Sequence, residues 1–276
     1  MKFEIALNPL DCVSAVNVEE NAERVLPEEH QLTIFVNEIE TYRVICTPTL
    51  LPELVLLLVQ ELLQLVLVLG RLKTEGVISS VDEVETLSIC QQGLRARVFL
   101  THPVRLEASP EQVPTCCTGN RTFAGLDQTE NAPKTLSPIA FSPVWIDQWA
   151  QCLNTQMPLY AETRSTHGAF LIQGGELLVS AEDLGRHNAL DKVVGWAMKR
   201  GVELEQCLLF TTGRVPVDMT IKAIRAGVPV LCSKARPTKQ AVELARKFGL
   251  TLLGEAKGHG FITYTAGGKT HETDSD

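Results

Sequence analysis

From residue 170 onward, short apolar runs alternate with stretches whose apolar residues recur at helical spacing. This alternation predicts helices packed on a largely parallel or mixed sheet, because each amphipathic helix must bury its apolar stripe against the strands. Gly174–Gly175 separates the first two runs and is typical of a hairpin turn. Gly201, Gly227 and Gly249 follow the three helical stretches, at the positions where a helix C-cap favours glycine. The runs predicted as strands are 170–173, 177–180, 207–211, 228–233 and 250–254.

The first half of the chain is predicted to be a smaller α+β unit. Residues 32–46 alternate apolar and polar side chains on both sides of Asn37–Glu38, which indicates two strands joined by a turn. Residues 84–107 alternate in the same way and predict further strands. With the apolar segment that lies between these two regions, the first half combines strands with a helix.

That apolar segment is Leu54–Leu69, and we interpret it as a buried core helix that ends near Gly70. A membrane span or an amphipathic anchor is the alternative interpretation. A span needs about 20 apolar residues, and this run is shorter. It also carries Gln60, Glu61 and Gln64 near its middle, where polar groups are costly in a bilayer.

Residues 108–138 are rich in Pro, Gly, Thr, Asn and Ser and have no periodicity, so we predict a long exposed loop. The loop carries the adjacent pair Cys116–Cys117. A helix around Val144–Met157 is expected to follow. These patterns predict an N-terminal α+β domain at 1–113, a mobile cysteine-bearing loop at 114–138 and a second α/β domain at 139–276.

Composition and charge argue against several classes of protein. The chain has 276 residues, 45% of them hydrophobic, and its net charge of −8 argues against a nucleic-acid binder, which needs a basic surface. Its eight cysteines form no C-x-x-C pair and no zinc-ribbon spacing. The N-terminus lacks the apolar core of a secretory signal. We therefore expect a cytoplasmic protein, not associated with membranes, whose cysteines are mostly thiols.

The run EDLGRHNALDK at Glu182–Lys192 is the first candidate for a functional site. It follows a predicted strand and opens a predicted helix, where backbone N–H groups can bind an anion. Gly185 gives the backbone freedom to turn, and His187 and Asp191 share a helix face because they are four residues apart. The alternative is a charged, solvated helix start with a cap. The variety of functional groups beside a glycine favours a site.

Two more polar junctions follow the next predicted strands. Thr212-Gly213-Arg214 is one, with Lys222 on the helix after it, and residues 233–238 are the other. Ligands favour the carboxyl edge of an open α/β sheet, and Arg and Lys suit phosphate groups. The three junctions are therefore expected to converge on one crevice; three ordinary polar loops are the alternative.

Longer motifs run through both halves of the chain: THGAF at 166–170, EDLGRHNALDKVVG at 182–195, TTGR at 211–214, KAIRAGVPVLCSKARPTKQAVELARKFGLTLLG at 222–254, FVNEIE at 35–40, CTPTLLPEL at 46–54 and LKTEGVI at 72–78. On these motifs the chain resembles the formate dehydrogenase accessory sulfurtransferase family, FdhD. The central motif is long and specific, and the resemblance covers most of the chain. The apolar stretch 55–69 is longer than the family usually has between its TP and EG motifs.

The resemblance implies a three-layer, cytidine-deaminase-like fold for the second domain, which raises zinc-dependent deamination as a rival activity. A deaminase needs H-x-E and P-C-x-x-C motifs to hold zinc and move protons. Here His167 is followed by Gly168-Ala169, without the glutamate, and the region after Pro229 offers only Cys232. A zinc site would lack ligands, so we expect no metal.

The resemblance implies instead a sulfur carrier. It would take sulfur from a cysteine desulfurase as a persulfide and pass it to bis molybdopterin guanine dinucleotide, the molybdenum cofactor, so that formate dehydrogenase becomes active. The carrier must be an exposed thiolate on a segment with reach. Many members carry C-G-x-C-G in the loop; aligned backwards from Thr122–Phe123, Cys117 takes the carrier's position and Cys116 is the runner-up. The alternative is a non-catalytic chaperone that only binds the cofactor.

The segment GEAKGHGFITYT at 254–265 stands in the place of the family's GFxRxxRxNxYT, a turn that contributes to cofactor binding in family members. Lys257 replaces an arginine and Gly260 a second basic residue, so phosphate contacts should be weaker there, although the N–H groups of Gly258 and Gly260 could still approach a ligand. The resemblance also implies a homodimer, with Glu182–Lys192 shaping the cofactor pocket and the fold around it. The residues predicted to bind the cofactor are Arg186, His187, Gly213, Arg214, Lys222, Ser233, Glu255, Ala256, Lys257, Gly258, His259 and Gly260.

Overall fold

The computed structural model describes residues 14–17, 22–27, 29–47, 59–90, 94–104 and 134–267. Its strands are β1 (Ser14–Asn17), β2 (Ala22–Val25), β3 (His30–Val36), β4 (Ile39–Cys46), β5 (Val84–Ile89), β6 (Arg95–Leu100), β7 (His167–Gln173), β8 (Glu176–Asp183), β9 (Leu208–Thr211), β10 (Val230–Ser233), β11 (Thr251–Gly254) and β12 (Ile262–Thr265). Its helices are α1 (Val59–Thr74), α2 (Pro143–Cys152), α3 (Pro158–Thr163), α4 (Arg186–Arg200), α5 (Val217–Ala226) and α6 (Lys239–Lys247).

The smaller of the two larger sheets lies in the first half, with four strands in the order β4-β3-β6-β5. β3 and β4 form the predicted antiparallel hairpin, and its turn residues Asn37 and Glu38 both have positive φ. β3 pairs in parallel with β6, which pairs antiparallel with β5. Alternate side chains of β3, namely Leu32, Ile34 and Val36, are fully buried in one core with residues of α1. β1 and β2 form a separate two-stranded ribbon.

The larger sheet has six strands in the order β12-β11-β10-β9-β7-β8. β9, β10 and β11 are parallel, whereas β7 and β12 run antiparallel to their neighbours β9 and β11. β7 and β8 form the hairpin predicted around Gly174–Gly175. The sheet is therefore mixed, as the alternation of strands and helices predicts.

Helices cover both faces of the larger sheet. On one face, α4, α5 and α6 pack on strand residues such as Leu209 and Leu231. On the other face, Ile146 of α2 lies in a core with Phe170 and Phe210, whose rings meet edge to face at 6.4 Å. Each such side chain contributes roughly 1.5–3 kcal/mol on burial. The three layers predicted for the second half are present; their kinship to a deaminase fold stays a prediction.

Helix α1 joins the two halves because it packs on the smaller sheet and also crosses α4 at two glycines. A Cβ atom on Gly70 would lie 1.7 Å from the backbone oxygen of Asp191, and one on Gly195 would lie 1.8 Å from that of Val66. The two backbones are thus in direct contact. The prediction that α1 ends near Gly70 is wrong: the helix continues to Thr74, because this glycine serves close packing.

The interpretation of α1 as a core helix agrees with its burial from Val66 onward. Within the described ranges, none of the helices combines the length and the apolarity needed to cross a membrane.

Other boundaries also differ from the sequence predictions. The helix expected over 144–157 ends at Cys152 and continues as a 3₁₀ segment, Leu153–Gln156. Pro237 is typical of a first helical position and predicts the start of a helix there, but α6 begins after Thr238, whose hydroxyl caps it by accepting from the N–H of Ala241. β12 was not predicted. The loop at 108–138, with its cysteines, lies outside the described residues except for 134–138, and the predicted domain boundaries stay predictions.

Candidate functional site

One edge of the larger sheet gathers the loops that follow β9, β10 and β11 and the residues that open β7. Thr212 donates its N–H to the carbonyl of Gly168 at 3.0 Å, and Gly168 donates to the hydroxyl of Thr212 at 3.0 Å. Lys234 donates its N–H to the carbonyl of Thr211 at 3.1 Å. The start of β7 and the ends of β9 and β10 therefore form one hydrogen-bonded rim, which we call the strand-end edge.

Ser233 ties further loops into the strand-end edge. Its hydroxyl donates to the carbonyl of Gly213 at 2.6 Å and accepts from the N–H of Ala235 at 3.0 Å. Its carbonyl accepts from the N–H of Ala256, and the carbonyl of Ala235 accepts from the N–H of Glu255. The polar junctions after β9 and β10 thus converge here, as the sequence predicts. Ser233 itself is fully buried and orders the backbone instead of facing a ligand.

Cationic side chains lie along the strand-end edge. Arg214 is exposed directly after β9, and Lys234 is half-buried after β10. Arg186, the first residue of α4, packs over Gly213. A Cβ atom added to Gly213 would lie 2.9 Å from the Cδ atom of Arg186. The Nε atom of Arg186 is buried and has no hydrogen-bond partner among the described residues. A buried donor of this kind favours an anionic partner.

The pKa of His167, the first residue of β7, reflects both its burial and the positive charge of the strand-end edge. Burial lowers its pKa from the ordinary 6.5, and the positive charges of Arg186, His187 and Arg214 lower it further, while Asp183 opposes them. His167 is therefore neutral at pH 7. Sequence reasoning used this residue only as a test for a zinc site, although its THGAF motif begins the strand that forms the edge.

Two helices begin at the strand-end edge, and in α5 one first-turn N–H, that of Met219, is already bonded to the carboxylate of Asp218 at 2.8 Å. The N-cap residues are Gly185 for α4 and Pro216 for α5, and neither supplies a side-chain hydrogen bond to the first turn. The N-terminus of a helix carries a partial positive charge and N–H donors, which together suit phosphate. The edge therefore offers backbone donors and guanidinium groups to one anionic ligand.

His187 faces away from solvent and binds α5. Its Nε2 atom lies 2.7 Å from Oδ2 of Asp218, and the two side chains are 1% and 3% exposed. Burial raises the pKa of Asp218, but the hydrogen bond and charge of His187 outweigh burial and hold it below its ordinary value. His187, predicted to bind the cofactor, instead fixes α4 against α5.

Lys222, also predicted to bind the cofactor, lies in a buried ion-pair network and is fully buried. Its ammonium is 2.9 Å from Oδ1 of Asp191 and 2.9 Å from Oε1 of Glu75. It donates to the hydroxyl of Thr74 at 2.7 Å, and Nε of Arg71 is 3.1 Å from Oδ2 of Asp191. This network joins α1, α4 and α5, and Lys222 does not reach the strand-end edge.

Asp183 forms the centre of a second buried polar group. Its carboxylate is 2.7 Å from the ammonium of Lys192 and accepts from the backbone N–H of Thr47 at 3.0 Å. It also accepts from the side chain of Asn188 at 2.9 Å and from the N–H of Gly185 at 2.9 Å. The end of β4 is thereby tied to the start of α4. These residues of the Glu182–Lys192 motif hold the fold together around the edge.

Glu182 acts at the opposite side of the sheet, on α3. Its carboxylate accepts from the N–H groups of Leu159 and Tyr160 at 3.0 and 2.8 Å and from the hydroxyl of Thr166 at 2.7 Å. Burial raises the pKa of Glu182 despite these bonds. The carboxylate fixes the start of α3, while the backbone of Glu182 pairs with Gly168 of β7.

The predicted cofactor loop after β11 packs largely on α2. Asp147 accepts the N–H of Gly260 at 2.8 Å, and the side chain of Gln151 donates to the carbonyl of Gly258 at 2.8 Å. The N–H of Gly260, predicted to approach a ligand, is therefore already bonded. Lys257 is exposed. Of the other predicted loop residues, Ala256 is buried, Glu255 is partly exposed and His259 is exposed.

The described residues hold no cluster of His, Cys, Asp and Glu that could bind a metal ion. The buried cysteines among the described residues do not ionise readily to thiolates. Burial raises the pKa of Cys46 to about 12 and that of Cys207 to about 11, and it also raises the pKa of Cys232. The predicted carriers Cys116 and Cys117 lie outside the described residues.

The fold and the strand-end edge together define a three-layer α/β protein with a rim of cationic side chains at the ends of its strands. A profile of the FdhD/NarQ family matches residues 27–271. The sulfur carrier protein FdhD of Staphylococcus aureus strain JH9 is 33% identical over 240 residues, which are 86% of each chain, and the protein of strain Newman gives the same values. The chain therefore belongs to the FdhD/NarQ family.

A solved structure supports the fold. The crystal structure of a protein assigned as a formate dehydrogenase accessory protein, from Desulfotalea psychrophila, superposes with a TM-score of 0.71. The match covers 93% of this chain and 96% of that chain at 22% identity. At this identity the likeness shows a shared fold.

Proposed function

We propose that the chain is a sulfur carrier for the maturation of formate dehydrogenase. In this proposal a cysteine desulfurase loads sulfur on Cys117, with Cys116 as the runner-up, and the sulfur passes to the molybdenum cofactor that bears guanine dinucleotides. The protein acts in the cytoplasm as a homodimer. The observation that carries the proposal is membership of the FdhD/NarQ family, with relatives named sulfur carrier proteins that align over 86% of the chain.

The loading step exchanges one sulfur–sulfur bond for another. The thiolate of Cys117 attacks the outer sulfur of the desulfurase persulfide, that sulfur moves to Cys117, and the desulfurase cysteine leaves as a thiolate. The attacking group must be ionised and accessible. Cys46, Cys207 and Cys232 do not meet this condition, because they are buried and burial raises their pKa values. This contrast removes three cysteines as carriers and leaves the exposed Cys90 and the partly exposed Cys152 beside the loop pair Cys116–Cys117.

The strand-end edge fits the anionic part of the cofactor. A guanine dinucleotide carries a diphosphate, and Arg214 and Arg186 supply guanidinium groups at the edge, the latter with an Nε atom that has no partner among the described residues. The first turns of α4 and α5, whose N-cap residues supply no side-chain hydrogen bond, add backbone donors. The cofactor, when bound, supplies the metal that accepts sulfur. The chain's own residues bind and orient it there.

Mass spectrometry after loading tests the proposal. The protein is incubated with a cysteine desulfurase and cysteine, and the gain of about 32 Da expected for one added sulfur atom is assigned to a residue by peptide mapping. We expect the adduct on Cys117 in the native protein and its loss in Cys117→Ala. Cys90→Ala, which removes an exposed thiol directly after β5, should load normally. An unloaded native protein would contradict the sulfur-carrier proposal.

A cofactor chaperone that transfers no sulfur is the second candidate. It is favoured by one observation: the described residues of the strand-end edge include cationic side chains but no exposed cysteine. The two candidates differ in one outcome. A chaperone binds guanosine diphosphate with the same affinity after Cys116→Ala and Cys117→Ala are combined, and it gains no mass on loading, whereas a carrier gains mass and loses the gain in the double variant.

A further inference from the structure

An exposed ion pair at the strand-end edge joins the loops after β10 and β11. One terminal nitrogen of Arg236 lies 2.9 Å from Oε2 of Glu255. The hydroxyl of Tyr264 donates to Oε1 of the same carboxylate at 2.8 Å. Both carboxylate oxygens are therefore bonded, although the Arg236 side chain is 77% exposed and that of Glu255 is 21% exposed.

The backbone fixes this carboxylate in place. Glu255 has a φ of 59°, in the left-handed region that a glutamate rarely adopts. Its N–H donates to the carbonyl of Ala235 at 3.3 Å, and the next residue, Ala256, donates to Ser233 at 3.1 Å. The same loops that form the strand-end edge therefore hold an acid beside an arginine that faces solvent. The hydrogen bond from Arg236 lowers the pKa of Glu255, so the acid is ionised at neutral pH.

The carboxylate of Glu255 has the opposite charge to the cations that lie along the rest of the edge. Arg214 and Arg186 favour an anion, whereas Glu255 already supplies one and holds the guanidinium of Arg236. Carboxylate and phosphate compete for the same planar donor fork. An exposed ion pair contributes little to stability, so a phosphate group can replace the carboxylate. The displaced Glu255 still repels the ligand, because it stays within a Debye length.

We propose that Glu255 is an internal competitor for the diphosphate-binding part of the edge: it occupies Arg236 until a diphosphate displaces it, and so it limits affinity for free nucleotides. This inference rests on the proposed cofactor site. It assigns Arg236 as a ligand that becomes available only on binding, and Glu255 as the residue that sets the affinity.

Titration of guanosine diphosphate by calorimetry tests the inference. Glu255→Gln should lower Kd about two- to fivefold, the range that corresponds to an exposed ion pair. It should also steepen the dependence of Kd on salt, because phosphate then replaces counterions at a free Arg236, whereas in the native protein it replaces the carboxylate of Glu255. Arg236→Ala alone should raise Kd only slightly, because the native contact of Arg236 with phosphate is offset by the lost pair with Glu255, but in the Glu255→Gln protein it should remove the gain. Glu243→Gln is the matched control, because it removes the same charge from an exposed pair on α6.

Three results would overturn the inference: an unchanged or raised Kd in Glu255→Gln, an equal gain in Glu243→Gln, or a gain that survives Arg236→Ala. Tyr264→Phe provides a milder variant, since it removes the hydroxyl bonded to Glu255 and should lower Kd in the same direction. A native protein that binds no guanosine diphosphate would contradict the proposed cofactor site itself. Binding with no effect of Glu255 would leave that site standing and reject only the competitor role.

Discussion

Two groups of charged side chains near the start of α4 differ in what surrounds them. In the buried network, Asp191 and Lys222 have no solvent exposure and each has an opposite charge at about 3 Å. At the strand-end edge, Arg214 is exposed and the Nε atom of Arg186 has no partner among the described residues. Buried charges with bonded opposite charges fix the position of a helix, whereas cations that are exposed or have an unbonded donor remain available for a ligand.

The largest effect expected from this comparison is that of Lys222→Met. It leaves Asp191 and Glu75 buried with too little positive charge, and breaking a buried pair in this way costs about 3–5 kcal/mol. Denaturant unfolding measures the loss. Lys239→Met is the control, because its ion pair with Glu243 is exposed and should contribute less than about 1 kcal/mol. Equal losses in the two variants would mean that the network does not stabilise the fold as described.

Gly195→Ala should be the next largest effect. Its new methyl group would lie 1.8 Å from the carbonyl of Val66, so α1 and α4 must separate, and overpacking of this kind costs about 1–3 kcal/mol or more. The free energy of unfolding measures it. Gly201→Ala has open space around it but a φ of 66°, so it should cost only about 1 kcal/mol. A smaller loss at Gly195 than at Gly201 would contradict the direct contact of the two backbones.

Arg214→Ala should weaken ligand binding and leave the free energy of unfolding nearly unchanged. Loss of one guanidinium contact to phosphate should weaken guanosine diphosphate binding about tenfold, or about 1.4 kcal/mol. The free energy of unfolding should stay within about 0.5 kcal/mol, because the side chain is exposed. Arg246→Ala, an exposed arginine in the last turn of α6, is the control and should leave binding unchanged. If Arg214→Ala destabilised the fold instead, the contrast between the two groups of charges would fail.

The smallest expected effect is a dependence of stability on pH that arises from His167. Its pKa in the folded protein lies below the ordinary 6.5, so as pH falls through that value the unfolded chain binds a proton before the folded chain does. The free energy of unfolding should therefore be higher at pH 7.5 than at pH 5.5, and His167→Gln should reduce this difference. Denaturant unfolding at both values measures it. An identical difference in the native protein and the variant would reject a positive strand-end edge around His167.

The fold could largely be predicted from sequence because its signals are local. The hairpin at Gly174–Gly175, the C-cap glycines Gly201 and Gly227 and the mixed order of strands all follow from short patterns. The end of α1 could not be predicted, because Gly70 resembles a stop signal, and its true partner, α4, lies far along the chain. β12 was missed because Ile262–Thr265 is short and its pairing with β11 depends on the fold.

The candidate site was predicted less completely. The convergence of the junctions followed from the rule on strand ends, and Arg186 and Arg214 do lie at that edge. Lys222 and His187 were predicted to bind the cofactor at this edge because charged residues within a motif often contact a ligand. Their partners Asp191 and Asp218 are on neighbouring helices, and only packing reveals that these pairs are buried.

The buried network also has a consequence for how the chain is made. Arg71 bonds to a residue 117 positions further along, and Thr74 to one 148 positions further along. At a synthesis rate of roughly 5–20 residues per second, α1 leaves the ribosome on the order of ten seconds before α5 is complete. During that interval an apolar helix that carries charges lacks its partners, so a nascent first half is the stage of biogenesis most exposed to aggregation and most dependent on chaperones.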